Sequence, residues 1–286
     1  MAKSALLKSS LAKKYWMALT GLFLCLFLIG HLAGNLQLIF ADDNAFNQYA
    51  LFMTSNPAVK VLSYLTYFSI LFHAVDGILL TIQNAKARPI AYARNKPETN
   101  TKWASRNMAL LGTLILIFII THMANFWGRM HFDKNMPLQK LVVETEMMPG
   151  MGKMKREFYV TSAWGQDKYL PVESVDGKKV VIEGNKFYAM QPKKILIGEG
   201  YKDLYKITVE FFQDAKYGLL FTLLYVVSMI VLAFHLNHGF GSAFQSMGWN
   251  HRKYNRLIKN FGTLFSIVVP LLFAIIPLYI HFLLKA

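Results

Sequence analysis

Five long apolar runs, almost free of charged residues, constrain this chain more than any other feature of its sequence. A helix of about 20 apolar residues, rising about 1.5 Å per residue, is long enough to cross the hydrocarbon core of a membrane. The sequence therefore predicts an integral membrane protein of the all-α class with five transmembrane helices, which we call spans one to five. The runs cover roughly residues 16–40, 61–83, 106–127, 217–240 and 261–283.

The distribution of charge predicts how these spans are oriented. The chain carries 31 Lys and Arg against 16 Asp and Glu. The N-terminus and the segments 84–106 and 251–260 together hold 14 of those basic residues, including Lys3 and Lys8, against one acid, Glu98. Positive residues in short loops mark the cytoplasmic side, so we expect the N-terminus inside the cell and the spans alternating from there. The basic excess is then largely a topology signal, with docking to an acidic partner as the lesser alternative, and we expect no nucleic-acid partner.

A large segment between spans three and four, residues 128–216, has nearly balanced charge. Its alternating stretches "EFYVTSAW", "KKVVIEGNKFYAM" and "KILIGEG" are separated by turn signals, which predicts short strands. We expect a small β-rich extracytoplasmic insertion, followed by an amphipathic segment that leads into span four. The predicted organisation is spans one to three in 1–127, the insertion in 128–216, and spans four and five in 217–286.

Four histidines inside the spans are the strongest functional signal. An ionisable side chain in hydrocarbon is costly and is therefore a functional candidate, with hydrogen bonding between helices as the alternative explanation. His31 and His122 lie far along the outward-running spans one and three. His73 lies near the middle of span two and His235 in the last third of span four, both of which run inwards. The spacing predicts an outer pair, His31 with His122, and an inner pair, His73 with His235.

The ligand set of each predicted pair favours haem. Imidazole suits iron, copper, nickel and zinc, but a structural zinc site uses four protein ligands. Two opposed imidazoles instead complete a haem iron whose other positions the porphyrin fills. The single cysteine, Cys25, excludes a covalent c-type attachment and an iron–sulfur cluster in this chain. Glycines near the histidines would let a flat macrocycle approach the backbone: Gly30, Gly34, Gly77 and Gly239.

The sequence therefore predicts two b-type haems in a four-helix bundle, with a peripheral fifth span. His238, three residues after His235 on the same helix face, stays an alternative ligand.

The chain resembles the five-span, two-haem cytochrome b subunit of succinate:quinone oxidoreductases, the membrane anchor of succinate dehydrogenases and fumarate reductases. The resemblance covers the five spans and leaves out most of 128–216. It implies one haem ligand on each of the first four spans, and the glycine expected four residues after the fourth ligand favours His235. The motifs that carry it are "GHLAGNLQLIFADDNAFNQYALFMTSNP", "FHAVDGI" with "NAKARP", "SRNMALLGTLILIFIITHMANFW" and "FHLNHGFGSAFQSMGWN".

The resemblance also implies partners and a location. It implies a flavoprotein subunit and an iron–sulfur subunit on the cytoplasmic face of the bacterial inner membrane, a quinone substrate (menaquinone is favoured), and surrounding lipid. It also allows a dimer of such complexes. This chain would relay electrons and react with quinone, but it would not act on succinate by itself. Whether it counts as an enzyme is left open.

Several assignments stay open on the sequence alone. Asn47 and Tyr49 in "FNQYA" are candidates to reach a quinone carbonyl, or they cap a short interfacial helix. Arg88 and Arg106, with Lys102, are candidates to pair with the inner haem propionates, or they contact lipid headgroups. Rival functions are the cytochrome b anchor of a hydrogenase or formate dehydrogenase, a proton-coupled transporter without haem, and a purely structural role for the histidines.

Overall fold

The computed structural model describes residues 9–90, 96, 99, 101–146, 153–163 and 166–284. Lys3, Lys8 and Glu98, which contribute to the predicted orientation, lie outside these residues. Within the described residues, five helices are long and apolar enough to cross a membrane, as predicted. Spans one to five are Ser10–Phe40, Pro57–Lys86, Met108–Phe132, Gly218–Ser246 and Asn255–Phe282.

Two of the spans begin at side chains that cap a helix N-terminus. The Ser9 hydroxyl accepts a hydrogen bond from the backbone N–H of Ala12 at 3.4 Å, where span one starts. The Asn56 carbonyl oxygen accepts from the N–H of Ala58 at 2.9 Å, and Pro57 occupies the first helical position. Such caps satisfy N–H groups that have no partner inside the helix. The spans therefore extend a few residues beyond the apolar runs, to positions fixed by local polar chemistry.

The described residues divide into two compact units. The first contains the chain up to Ile39, then Asn56–His122, and then the chain from Phe211 onwards. The second contains Phe40–Ser55 and Met123–Glu210.

The first unit is a helical bundle with a simple neighbour order. Span one packs against spans two and four, and span three packs against the same two. Spans one and three are therefore diagonal across the bundle, and so are spans two and four. This is the arrangement of an up-and-down four-helix bundle, in which side chains from opposite helices meet at the centre.

Span five packs most extensively against span four and also contacts span one. Gly262 allows the close approach, because a Cβ added there would lie 2.7 Å from Cδ1 of Phe240. Phe261 and Phe265 of span five extend the same contact, with ring centres 5.6 and 5.8 Å from that of Phe240. Span five thus adds a fifth helix to one side of the bundle.

The second unit is built on a curled, antiparallel sheet. The described part of the chain forms six strands, in the order β1-β2-β6-β5-β4 with β3 on the other edge of β2. The three stretches predicted as strands correspond to β2, to β4 with β5, and to β6, whereas β1 and β3 were not predicted. The strands are β1 Lys140–Glu146, β2 Lys153–Ala163, β3 Gln166–Pro171, β4 Val180–Glu183, β5 Lys186–Ala189 and β6 Ile195–Gly200.

Helices pack together elsewhere in the second unit. The helix Asp43–Ser55, which follows span one, belongs to this unit, as do the π-helical turns Met123–Gly128 and the short helix Arg129–Phe132. Most of the helix Leu204–Gln213, the amphipathic segment predicted before span four, also lies here. A small core joins them, and its buried members are Ala50, Met130, Met136 and Ile207.

Candidate functional site

The structure brings His31 and His122 together in the first unit. Their ring centres are 5.8 Å apart and the ring planes are nearly perpendicular, at 86°. His31 lies in the last two turns of the helix Ser10–Asn35, and His122 is the last α-helical residue before the π-helical turns that begin at Met123. The two rings thus meet across the diagonal formed by spans one and three.

His73 and His235 meet across the other diagonal, formed by spans two and four. Their ring centres are 6.1 Å apart and their planes are inclined by 68°. These are the two pairs that the positions of the histidines along the spans predicted. His238, the alternative ligand on span four, is half-buried and does not take the place of His235 opposite His73.

The separations within the pairs fit one metal atom held between two imidazoles. An imidazole nitrogen binds a transition metal at about 2.0 Å and lies about 1.1 Å from its own ring centre, so two opposed ligands place their ring centres about 6.2 Å apart. Both observed separations are close to that value. Among the described residues, no group of three or more His, Cys, Asp or Glu side chains comes together in a way that could hold a metal ion. A pair alone leaves the remaining coordination positions to a cofactor such as a porphyrin.

The inner pair is oriented by span one. Nδ1 of His73 lies 3.2 Å from the backbone carbonyl oxygen of Met17 and 3.4 Å from the hydroxyl of Thr20. Metal-binding histidines commonly donate their second ring nitrogen to a carbonyl, which fixes the ring and directs the other nitrogen towards the metal. Nδ1 of His235 is buried and has no hydrogen-bond partner among the described residues.

The outer pair has different partners. Nδ1 of His122 lies 3.3 Å from the hydroxyl of Tyr225 on span four. Nδ1 of His31 lies 3.4 Å from the amide nitrogen of Asn35, one turn further along the same helix. The Asn35 amide also donates to the carbonyl of His31 at 2.8 Å, which holds it in place. The sequence did not reveal Tyr225 or Met17, since both come from another helix.

Aromatic rings form the walls of the outer pair. Phe27 stacks on His31 and Phe118 stacks on His122, each from four residues earlier in its helix, with ring centres 5.2 and 5.6 Å apart. Phe273 of span five approaches His31 to 5.7 Å. The fifth span therefore contributes a wall to the outer pair as well as packing outside the bundle.

Spans one and three share a short repeat that the sequence analysis missed. The pattern G-x5-F-x3-H occurs as "GLFLCLFLIGH" at residues 21–31 and as "GTLILIFIITH" at residues 112–122. Its signal in the sequence is only the common spacing, because most other positions in both stretches are interchangeable aliphatic residues. The structure reveals the repeat, because in both copies the phenylalanine stacks on the histidine four residues later.

The glycines of the repeat face the inner histidines. A Cβ added at Gly21 would lie 3.1 Å from Cε1 of His73, and one added at Gly112 would lie 3.7 Å from Cε1 of His235. Each glycine is ten residues before the outer histidine of its own span, which corresponds to about 15 Å along a helix. The outer and inner pairs are therefore about 15 Å apart along the bundle.

The glycines that the sequence singled out lie in more open surroundings. A Cβ added at Gly30 or Gly77 would meet nothing within 4 Å, and one at Gly239 would reach only the end of the Met108 side chain at 3.5 Å. Gly30 is exposed and Gly77 is half-buried, so the packing in the structure does not require a glycine at either position. Gly34 is buried within its helix.

Asp76 is a further buried group near the inner pair. It lies one turn after His73, and the structure leaves it 9% exposed. Its carboxyl group interacts electrostatically with the side chains of Lys13 on span one and of His73. A buried carboxylate in a membrane-spanning helix is a functional candidate by the same reasoning that applies to the histidines.

The remaining described histidines have local packing partners. Nδ1 of His131 lies 2.9 Å from the carbonyl oxygen of Trp127, one turn earlier, and the two rings stack. His251 accepts a hydrogen bond from the backbone N–H of Lys253. Nδ1 of His281 lies 2.6 Å from the carbonyl oxygen of Phe212.

Asn47 and Tyr49 lie in the second unit. The Asn47 amide donates to Asp203 at 2.9 Å, and its oxygen accepts from the backbone N–H of Tyr205 at 3.0 Å. With 1% of its surface exposed, Asn47 caps the helix Leu204–Gln213. Tyr49 is half-buried, and burial raises the pKa of its phenol.

Arg88 and Arg106 lie at neighbouring ends of two spans. Arg88 follows the end of span two, and Arg106 ends the short helix Trp103–Arg106 just before span three. Both side chains are exposed, and the Arg106 guanidinium donates to the carbonyl oxygen of Thr101.

Comparisons with models of known protein families, with curated proteins and with solved structures found no match to this chain.

Proposed function

We propose that this protein is a dihaem cytochrome b membrane anchor, which relays electrons between an iron–sulfur subunit and the quinone pool. The observation that carries the proposal is the spacing of two histidine pairs, at 5.8 and 6.1 Å, on the two diagonals of an apolar helical bundle. Both separations are compatible with one metal atom between two imidazoles, and each pair joins opposite helices of the bundle. The resemblance to the anchor of succinate dehydrogenases and fumarate reductases supports the same function.

Each part of the proposed site has a role for this chain's own residues. His31 and His122 would hold the outer haem, and His73 and His235 the inner one. When bound, a haem supplies reversible transfer of one electron, and its axial ligands and burial set its potential. Met17 orients the ring of His73 through its carbonyl oxygen.

Apolar surroundings keep water away from the outer histidines. The stacked rings of Phe27 and Phe118 cover one face of each imidazole, and Phe273 adds a third aromatic surface. A dry, low-dielectric environment strengthens the hydrogen bonds that orient the ligands. This arrangement supports a redox site that exchanges electrons without exposing its ligands to protons from bulk water.

The partners and the membrane belong to the proposal. We propose a flavoprotein subunit and an iron–sulfur subunit on the cytoplasmic face, and quinone (menaquinone is favoured) reacting from the membrane. The predicted cytoplasmic ends are basic and would suit an acidic docking surface. Asn47 and Tyr49 were the sequence candidates for the quinone; the amide of Asn47 is engaged in the second unit, so we assign it no contact with quinone.

The experiment that tests this function is an optical and low-temperature EPR spectrum of the purified complex, with haem quantified per chain. We expect two low-spin haems with bis-histidine ligation. Replacing His122 by alanine removes one ligand of the outer pair and should eliminate that haem while the inner one remains. His131→Ala is the matched control, because His131 is exposed and lies outside both pairs.

A colourless preparation would contradict the proposal and favour a transporter or a structural role. Retention of both haems in His122→Ala would contradict the ligand assignment alone. Flavin that copurifies with succinate-dependent quinone reduction distinguishes this anchor from that of a hydrogenase or formate dehydrogenase.

A further inference from the structure

The ring of His73 lies against a helix position that has no side chain. A Cβ added at Gly21 would be 3.1 Å from Cε1 and 3.5 Å from Nδ1 of His73. A contact at 3.1 Å is tighter than nine in ten contacts of real Cβ atoms, so an alanine there requires the imidazole or the helix to move by a few tenths of an ångström. At the corresponding Gly112, the distance to His235 is 3.7 Å, which is ordinary van der Waals contact.

The same short stretch of span one also fixes the direction of this ring. The carbonyl oxygen of Met17 and the hydroxyl of Thr20 both face Nδ1 of His73. Thr20 is buried, with 4% of its surface exposed, and its hydroxyl is held by donating to the carbonyl oxygen of Trp16 at 2.8 Å. The carbonyl oxygen of Met17, the hydroxyl of Thr20 and the missing side chain of Gly21 therefore all meet one imidazole from little more than one turn of helix.

We propose that Gly21 is a positioning residue for the inner site. Its missing side chain lets His73 settle against span one at the height where Met17 and Thr20 fix its second nitrogen. The imidazole is thereby held at the separation from His235 that one metal atom requires. The inference rests on the proposed function, since the position of His73 matters because it would bind the inner haem.

A consequence is that span one serves both sites. His31, ten residues after Gly21, belongs to the outer pair, about 15 Å away along the helix. A change at Gly21 should therefore affect the inner site selectively. A residue that matters only for helix packing would instead affect both sites, or neither.

The test is Gly21→Ala in the full chain, purified with its partners. We expect the EPR g-values and the midpoint potential of the inner haem to shift, or its content to fall, while the outer haem keeps its wild-type values. The matched control is Gly241→Ala on span four, where an added Cβ meets nothing within 4 Å. The control makes the same substitution inside a membrane-spanning helix, and both haems should stay unchanged.

A second variant keeps the test decisive if Gly21→Ala fails to fold. Thr20→Val removes the hydroxyl beside Nδ1 of His73 and leaves Gly21 intact. We expect it to shift the potential of the inner haem alone. Unchanged haems in both variants, or equal shifts at both sites, would overturn the role of Gly21 while the proposed function stands. A wild-type chain without haem would overturn both.

Discussion

At the scale of single residues, the second ring nitrogen distinguishes the four paired histidines from one another. His73 meets a backbone carbonyl, His122 meets a tyrosine hydroxyl, and Nδ1 of His235 has no partner in the described part of the chain. An acceptor on the second nitrogen makes a metal-bound imidazole more basic, which stabilises the more positive oxidation state of the metal. If each pair binds a haem, as proposed, different residues would tune the two potentials, and each could be changed separately.

The outer site can be tested at Tyr225. If His122 binds iron through Nε2, Nδ1 carries the proton and donates to the Tyr225 oxygen at 3.3 Å. Tyr225→Phe removes this acceptor and makes the imidazole less basic, so we expect the midpoint potential of the outer haem to rise. An optical redox titration measures the shift, and the inner haem serves as the internal reference.

The matched control for this change is Tyr64→Phe on span two, where the tyrosine is 70% exposed. It should leave both potentials at their wild-type values. A Tyr225→Phe protein whose outer haem has an unchanged or lowered potential would contradict the orienting role of Tyr225.

At the scale of elements, polar side chains hold the ends of helices and turns, and the apolar patterns of the sequence do not predict these contacts. Gln213 donates from its amide nitrogen to the carbonyl oxygens of Ile280 and Leu284, both at 2.7 Å. The last carbonyls of a helix have no partner within it, and this side chain supplies one at the end of span five. His281 supports the same end, because its Nδ1 lies close to the carbonyl oxygen of Phe212.

Gln213→Leu is the corresponding prediction. The variant keeps the approximate size of the side chain but leaves two carbonyls without their donor, at a cost of about 1–3 kcal/mol for each buried group. We expect the last turn of span five to open more often, which amide hydrogen exchange over residues 278–284 would detect as faster exchange. Gln245→Leu, at an exposed position of span four, is the control. Equal exchange in the two variants would show that Gln213 does not hold this end.

The stability of one turn in the second unit should depend on pH. The carboxylate of Asp176 accepts hydrogen bonds from the backbone N–H groups of Lys179 and Lys178, at 2.6 and 2.8 Å. These bonds hold the pKa of Asp176 below its ordinary value of 3.8. A carboxyl with a depressed pKa contributes stability that is fully present above that ordinary value and is lost as the pH falls through the folded value.

We therefore expect amide exchange at Lys178 and Lys179 to accelerate in acid, beyond the intrinsic pH dependence of exchange. Asp176→Asn keeps an acceptor oxygen but does not titrate, so the additional acceleration should disappear in this variant. If wild type and variant follow the same pH profile, the carboxylate does not stabilise the turn.

At the scale of the whole molecule, the sequence predicts long apolar elements well and contacts between distant segments poorly. The five spans follow from hydropathy because a membrane demands long apolar helices whatever their neighbours are. The two histidine pairs follow from depth, since helix rise sets the height of each imidazole, but depth alone left His238 open as an alternative to His235 on span four. The contacts of Tyr225 and Met17 depend on which helix faces which, and a single sequence does not contain that information.

The second unit shows the same division. Turn residues and alternating patterns located β2, β4, β5 and β6, but the strand β1 has no clear alternation, and β3 was not recognised. The helix Asp43–Ser55 belongs to this unit although it follows span one directly in the chain. Asn47 shows why this was hidden, because its partners Asp203 and Tyr205 lie more than 150 residues away.

The diagonal placement of the histidines also bears on how the protein is assembled. In the proposed function, iron bound between opposite helices would join the hairpin of spans one and two to that of spans three and four at two levels. A porphyrin bound on both faces by histidines could not enter the bundle after the two hairpins had packed against each other. We therefore expect haem to be loaded while the hairpins are still separate, so that a cell starved of haem accumulates undocked, protease-sensitive halves.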